Sequence, residues 1–138
     1  MSKWSKWSHE PHPLIGKTII KVEKTEDSEY LRFTTDDAKT MLAYAEGDCC
    51  SRSWVESFDE PSHMLGTVTG AADLDHVQES VDDAGDSYLQ FYGFKITTGR
   101  GICVIDYRNK SNGYYGGSLE WDVGHTPSDK TKWEVVAN

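Results

Sequence analysis

Apolar and polar residues alternate along three early segments of the chain, which run from Lys17 to Glu23, from Tyr30 to Thr34 and from Thr40 to Ala45. A period of two is typical of strands that bury one face. Turn-forming residues separate these segments at 26–28 and 36–37, and a further turn is indicated at 99–101. The pattern therefore predicts antiparallel strands joined by tight turns.

The same pattern occurs a second time further along the chain. LIGKTIIKVE (14–23) is echoed by MLGTVTGAADL (64–74), YLRF (30–33) by YLQF (88–91), and TTDDAKTMLAY (34–44) by TTGRGICVIDY (97–107). In the second copy an acidic stretch, 73–86, precedes the Tyr-Leu pair. We therefore expect two meander-like halves that form one antiparallel sheet or a pair of packed sheets.

A short helix is predicted between the two halves. SWVE (53–56) has the form of a capping box, in which the Ser and Glu side chains satisfy free backbone N–H groups of the first turn. Trp54, Val55 and Phe58 would supply its apolar stripe, and Pro61 would end it. The expected fold class is therefore α+β and β-rich, with one or two short helices.

The length of 138 residues fits a single domain. Residues 1–13 are expected to form an irregular N-terminal arm, because MSKWSKWSHEPHP has no apolar period and ends in two prolines. Residues 14–123 would form the globular domain, and 124–138 a C-terminal tail. The arm carries Trp4 and Trp7, which we expect to pack on the domain or on a partner.

The formal net charge of −9 arises in one part of the chain. No Lys or Arg lies between Arg52 and Lys95, whereas that segment holds nine Asp and Glu residues. Such a segment repels nucleic acid and attracts basic surfaces, although it can also be a solvated loop that keeps a protein in solution. The partner-binding candidates are its central acids, Asp73, Asp75, Glu79, Asp82, Asp83 and Asp86.

Three cysteines, Cys49, Cys50 and Cys103, bear on the compartment and on reactivity. The number of cysteines is odd, and the chain has no secretion signal and no apolar run longer than a strand. These features predict a soluble protein of a reducing cytosol. The adjacent pair in GDCCSRSW lacks the spacing of paired zinc ligands, and no histidine is placed by spacing as a base for a thiolate. We interpret the pair as buried architecture, with a reactive pair as the alternative, and place Cys103 in the core.

The segment DYRNKSNGYYGGSLEW (106–121) is the densest candidate for ligand binding. Arg108, Asn109, Asn112, Tyr114 and Tyr115 offer a guanidinium, two amides and two aromatic rings, which together suit a planar or anionic ligand. The alternative is a hairpin whose tyrosines pack across the strands. No phosphate loop, dinucleotide fingerprint or Ser-His-Asp order occurs, so we expect neither an enzyme nor a cofactor or metal.

LIGKTI, GDCCSRSW, LGTVTG and IDYRNKSNGYYGG together resemble a family of small, functionally uncharacterised proteins of tailed-phage genomes. The resemblance spans about 14–121, and the double cysteine and SNGYYGG are its most specific parts. It implies a viral accessory protein that acts in the cytoplasm of a host bacterium. It supplies no catalytic residues to carry over.

The resemblance and the charge together lead to one expected function and two alternatives. We expect a non-enzymatic counter-defence protein, anti-CRISPR-like, whose acidic surface binds a basic surface of a host nucleic-acid-handling defence effector and inhibits it. No direct contact with nucleic acid or membrane is expected, and a homodimer is compatible with this interpretation. The alternatives are a small-ligand or nucleotide-signal sponge and, third, a cysteine-dependent enzyme.

Overall fold

The computed structural model describes residues 12–47, 51–75, 77–80, 88–111 and 117–138. Ten strands occur within these ranges. They are β1 (Thr18–Thr25), β2 (Tyr30–Thr35), β3 (Thr40–Gly47), β4 (Arg52–Asp59), β5 (Gly66–Asp73), β6 (Val77–Ser80), β7 (Tyr88–Thr98), β8 (Gly101–Ser111), β9 (Gly117–Trp121) and β10 (Trp133–Ala137). The three segments with strict alternation at the start of the chain are confirmed as β1, β2 and β3.

All ten strands of the described ranges belong to one open antiparallel sheet. Its main path runs β4-β8-β7-β5-β1-β2-β3-β9, with β10 paired to β1 and β6 paired to β7. The strands of the first half follow in the order β1-β2-β3, and those of the second half in the order β5-β7-β8. The two meander-like halves therefore share one sheet.

The halves meet where β1 pairs with β5. Thr18 lies opposite Thr67, the N–H of Gly16 donates to the carbonyl of Val68 over 2.9 Å, and the N–H of Val68 donates to the carbonyl of Lys17 over 2.8 Å. Each half also has a fourth strand that the repeat did not predict. Each of these fourth strands pairs with a strand of the other half. β4 of the first half pairs with β8, and β9 of the second half pairs with β3.

The helix predicted at Ser53–Glu56 is wrong, and the β-rich fold has almost no helix among the described residues, so the predicted α+β class holds only in its β-rich part. This stretch lies in β4, which pairs with β8 from Arg52 to Asp59, and the only helical turn in the described residues is a 3₁₀ turn at Pro61–Met64. A capping box contributes only about 1 kcal/mol. Trp54, Val55 and Phe58 are aromatic or β-branched and suit a strand once β8 supplies hydrogen-bonding partners.

The inner face of the sheet holds one apolar core, to which both halves contribute. Cys103 is fully buried in it, as predicted. The end strands β4 and β9 approach each other, because a Cβ added at Gly117 would lie 2.4 Å from Oγ of Ser53. The C-terminal segment also joins the sheet, with Trp133 of β10 opposite Thr25. The described part of the chain contains no helix with the length and apolar character to cross a membrane.

Candidate functional site

The inner face of the β7-β8 hairpin changes from apolar to polar along its length. Ile96 lies opposite Cys103 and Phe94 opposite Ile105, but the next inward pairs are Tyr92 with Tyr107 and Gln90 with Asn109. Neighbouring strands add further inward polar side chains at the same end. We call the set the polar cluster: Ser53, Asp73, Gln90, Tyr92, Tyr107 and Asn109.

Asn109 is fully buried and lies at the centre of the polar cluster. Its Oδ1 accepts a hydrogen bond from Oγ of Ser53 at 2.8 Å, and its Nδ2 donates to Oε1 of Gln90 at 2.6 Å. The hydroxyl of Tyr92 donates to the same Oε1 at 3.4 Å and accepts from the N–H of Gly117 at 3.1 Å. These bonds connect β4, β7, β8 and β9, so they fix the relative positions of the strands there.

Asp73 carries the carboxylate of the polar cluster. The hydroxyl of Tyr107 donates to its Oδ1 at 3.3 Å, and the ring of Tyr107 stacks on that of Tyr92 with centroids 5.0 Å apart. Burial and, to a lesser extent, the charge of Glu120 raise the pKa of Asp73 above its usual range, although the Tyr107 hydrogen bond opposes this. Burial and the nearby Asp73 raise the pKa of Tyr107. The pair can therefore hold a proton more readily than a solvated carboxylate does.

Three distinctive sequence segments are flanked by residues at this same end of the sheet. Gly47, which is the first residue of GDCC and directly precedes Asp48, lies opposite Gly117, and Ser111, before NGYYG, lies opposite Tyr88. Residues 81–87, which include Asp82, Asp83 and Asp86 of the acidic stretch, are bounded by Ser80 and Tyr88, which are opposite each other. We call the sheet end formed by these flanking residues the loop end. The polar cluster lies directly inside it.

Several of the predicted residues lie outside the described residues. These are Cys49, Cys50, Asp82, Asp83, Asp86, Asn112, Tyr114 and Tyr115. Glu79 lies in β6, where its backbone is opposite Leu89. Their proposed roles stay predictions.

The structure places the other predicted residues in different surroundings. Arg108 and Asn109 are consecutive in β8 and point to opposite faces of the sheet. The guanidinium of Arg108 pairs with Asp106 at 3.1 Å and lies 4.5 Å from the ring centroid of Phe91, on the outer face. Asp73 points inward, whereas Asp75 is exposed. Arg108 and Asn109 therefore do not form one surface.

Sequence reasoning missed Gln90 and Ser53 as parts of the site. Gln90 occupies an inward position in YLQFYGFKI, where the period of two requires an apolar side chain, and that exception was the available signal. Ser53 was interpreted as a helix cap. Among the described residues, no group of three or more His, Cys, Asp or Glu side chains is arranged to hold a metal ion.

Comparison with known proteins relates the chain to a viral sequence and to one family. "Uncharacterized protein L278" of Acanthamoeba polyphaga mimivirus is 28% identical over 109 residues, which cover 73% of this chain and 82% of that protein. No solved structure matches the chain. A family model described as "Domain of unknown function (DUF7448)" matches residues 12–121, from the first described residue through the last residue of β9. The chain therefore belongs to the DUF7448 family.

Proposed function

We propose that this protein is a non-enzymatic viral accessory protein that binds a partner protein through its loop end. The observation that carries the proposal is the position of the flanking residues of GDCC, NGYYG and the acidic stretch at one end of one sheet. Binding residues are often on loops that a rigid scaffold positions. The hydrogen bonds of the polar cluster supply such a scaffold directly beneath.

The composition of SNGYYGG supports protein recognition. Binding loops of antibodies are enriched in Tyr, Ser, Gly and Asn, because Tyr offers a large contact area at low entropic cost and the smaller residues adapt their hydrogen bonds. Tyr114 and Tyr115 are therefore the proposed anchors. They would contact the partner at the centre of the interface.

Charge supports a basic partner surface. The segment 53–94 has nine acids and no Lys or Arg, and Asp75 is exposed two residues after the end of β5, within the acidic stretch. Complementary charge raises the association rate and excludes acidic partners. A host effector that handles nucleic acid has a basic surface, so inhibition of such an effector, as anti-CRISPR proteins do, is the specific form of the proposal. The viral relative supports a viral context.

A small-ligand or nucleotide-signal sponge is the second candidate, and the polar cluster is the observation that favours it. A few polar groups that converge next to apolar side chains are typical of ligand sites. Asn109 is fully buried and Arg108 faces the other way, so this candidate relies on Tyr114, Tyr115 and Asn112. Calorimetry against cyclic nucleotides and ADP-ribose tests it, and flat titrations would count against it.

The test of partner binding compares two double charge reversals of equal size. Asp82→Lys with Asp83→Lys changes the acidic stretch, whereas Asp36→Lys with Asp59→Lys changes exposed acids at the opposite end of the sheet. Tagged proteins are used for quantitative pull-down from host cells at low and high salt. We expect the loop-end pair to lose the partner and the control pair to retain it.

Equal capture by both variants, or capture that salt does not weaken, would contradict the proposed binding surface. A separate experiment tests the counter-defence form of the proposal. It measures how efficiently phage form plaques on cells that carry an active CRISPR system. Expression of the wild-type protein should restore plating, and the Asp82/Asp83 variant should not. If the wild-type protein fails to restore plating, the anti-CRISPR form of the proposal is wrong. The pull-down would still test partner binding by itself.

A further inference from the structure

A cleft of about 420 Å³ lies on the outer face of β2 and β3, on the side of the sheet opposite the polar cluster. One wall is the sheet surface, with Arg32 and Thr40. The other wall is the C-terminal segment that leads into β10, with Asp129, Thr131 and Trp133 among its lining residues. The volume falls within the range of about 300–1,000 Å³ that is common for small-molecule sites.

The walls of the cleft are held in place by contacts of its lining residues and of their neighbours. Nε and Nη2 of Arg32 donate to the two carboxylate oxygens of Glu23 at 2.9 and 3.1 Å, and the guanidinium lies 4.0 Å from the ring centroid of Trp133. The hydroxyl of Tyr30 lies 2.8 Å from Nδ1 of His125, which fixes the start of the C-terminal segment. The cleft is therefore largely preformed.

The turn at the cleft is ordered by its own hydrogen bonds. The N–H of Thr131 donates to the carbonyl of Ser128 at 2.9 Å, and the N–H of Lys130 donates to Oγ of Ser128 at 3.2 Å. β10 then pairs with β1, which places Trp133 opposite Thr25. The carboxylate of Asp129 and the hydroxyl of Thr131 are thus presented from a defined backbone.

The chemistry of the lining selects a class of ligand. The charge of Arg32 is already offset by Glu23, Asp129 adds a negative charge, and the whole chain carries −9, so an anion is not favoured. Four hydroxyl side chains, at positions 40, 126, 128 and 131, can each donate and accept. The indole of Trp133 adds an apolar surface beside them.

We propose that this outer-face cleft binds a neutral carbohydrate. Vicinal hydroxyls of a sugar ring donate to the carboxylate of Asp129 and exchange hydrogen bonds with the Thr40 and Thr131 hydroxyls. The C–H groups of the sugar ring pack against the part of the Trp133 indole that Arg32 does not cover. The inference does not depend on partner binding at the loop end, because the cleft has none of the residues that define the loop end among its lining residues.

The carbohydrate site also lies partly beyond the family match. The family model ends at residue 121, whereas Asp129, Thr131 and Trp133 follow it. One wall of the cleft therefore comes from the matched residues and the other from residues that follow them.

Saturation-transfer NMR on the full chain tests the proposal, with glucose, galactose, N-acetylglucosamine, maltose, cellobiose and lactose as probes. We expect saturation transfer to at least one of these sugars. The signal should be lost in Asp129→Ala combined with Thr131→Val. It should persist in Thr34→Val, which changes a hydroxyl of β2 that does not line the cleft.

Two further measurements make each outcome decisive. Circular dichroism and thermal unfolding show whether the cleft variants stay folded, and Thr131→Val alone is used if the double variant does not. Glucuronate is the charged probe and should bind more weakly than glucose. Absence of transfer to all six neutral sugars, unchanged transfer in the cleft variants, or stronger binding of glucuronate would overturn the proposal.

Discussion

Asn109 and Gln90 face each other across β8 and β7, and Nδ2 of Asn109 donates to Oε1 of Gln90 at 2.6 Å inside the sheet. A buried amide with bonds to two strands is costly to remove, since its partners keep their desolvated polar atoms. The pair therefore links the stability of the sheet to the geometry of the loop end. It is the first place to test whether the polar cluster supports the site.

Asn109→Ala should lower the free energy of unfolding by about 1–3 kcal/mol, because Oγ of Ser53 and Oε1 of Gln90 each lose a partner. Urea denaturation followed by circular dichroism measures this. Lys110→Ala is the matched control, because its side chain is exposed on the same strand, and it should change stability by less than about 0.5 kcal/mol. Similar values for the two variants would show that the network contributes little.

His12 should contribute a loss of stability as the pH falls from 6.5 toward 4. Its ring packs between Phe94 and Trp121, and burial lowers its pKa from 6.5 to about 4. The unfolded chain therefore binds a proton in this window that the folded chain does not, which costs the folded state up to about 3 kcal/mol by pH 4. Above pH 6.5 the effect is absent.

The His12 effect is isolated by comparison with His12→Gln across the same pH range. The raised pKa values of Asp73 and Glu29 give the opposite slope, since these groups favour protonation in the folded state, and both proteins share that contribution. The difference in unfolding free energy between wild type and variant should shrink as the pH falls. A difference that is constant with pH would refute the assignment to His12.

Asp73→Asn should stabilise the protein at pH 7. The wild-type carboxylate is ionised at a cost there, as its raised pKa shows, whereas an amide oxygen can still accept from the hydroxyl of Tyr107. Thermal unfolding at pH 7 and pH 4 measures the change. We expect the gain at pH 7 to be larger than at pH 4, and Asp75→Asn, at an exposed position, to show neither effect.

Arg32→Met should destabilise the protein by about 1–3 kcal/mol, because Glu23 is only 7% exposed and would keep just the weaker contact with Lys21 at 3.6 Å. Lys24→Met removes an ion pair with Glu134 that is more exposed, at 26% and 54% for the two side chains, and should cost less than about 1 kcal/mol. Adding Glu23→Gln to Arg32→Met should recover part of the loss. No recovery would mean that Arg32 acts mainly through Trp133.

The thiol of Cys103 should be inert in the native state. It is fully buried, and burial raises its pKa to about 12, so almost no thiolate is present at neutral pH. A Cys49→Ser, Cys50→Ser variant leaves Cys103 as the only thiol. Its reaction with an aromatic disulfide reagent should require unfolding and increase with urea, and fast labelling in native buffer would contradict the burial.

The sequence predicted the strands with strict alternation, since a period of two depends only on which face is buried. It did not predict β4, because a capping box is a local signal and the pairing with β8 comes from far along the chain. The repeat could not predict that β4 and β9 each pair with a strand of the other half, since tertiary packing sets the pairing and its register.

The candidate site was predicted in part for the same reason. Asn109 and Asp73 were named for their chemistry, but only the register of β8 and β5 shows that both side chains point inward. The separation of Arg108 from Asn109 follows from the alternation of side chains in a strand. Gln90 was detectable only as a polar residue at an inward position.

The exchange of fourth strands governs how the chain can fold during synthesis. β4 leaves the ribosome well before β8 exists, and β3 must wait for β9, so the first half cannot complete its pairing while it is the only part made. Contacts between residues so distant in sequence slow folding. The nascent first half therefore keeps open strand edges on β1, β3 and β4 until their partners β5, β9 and β8 have been made, so the native sheet cannot form before the second half emerges.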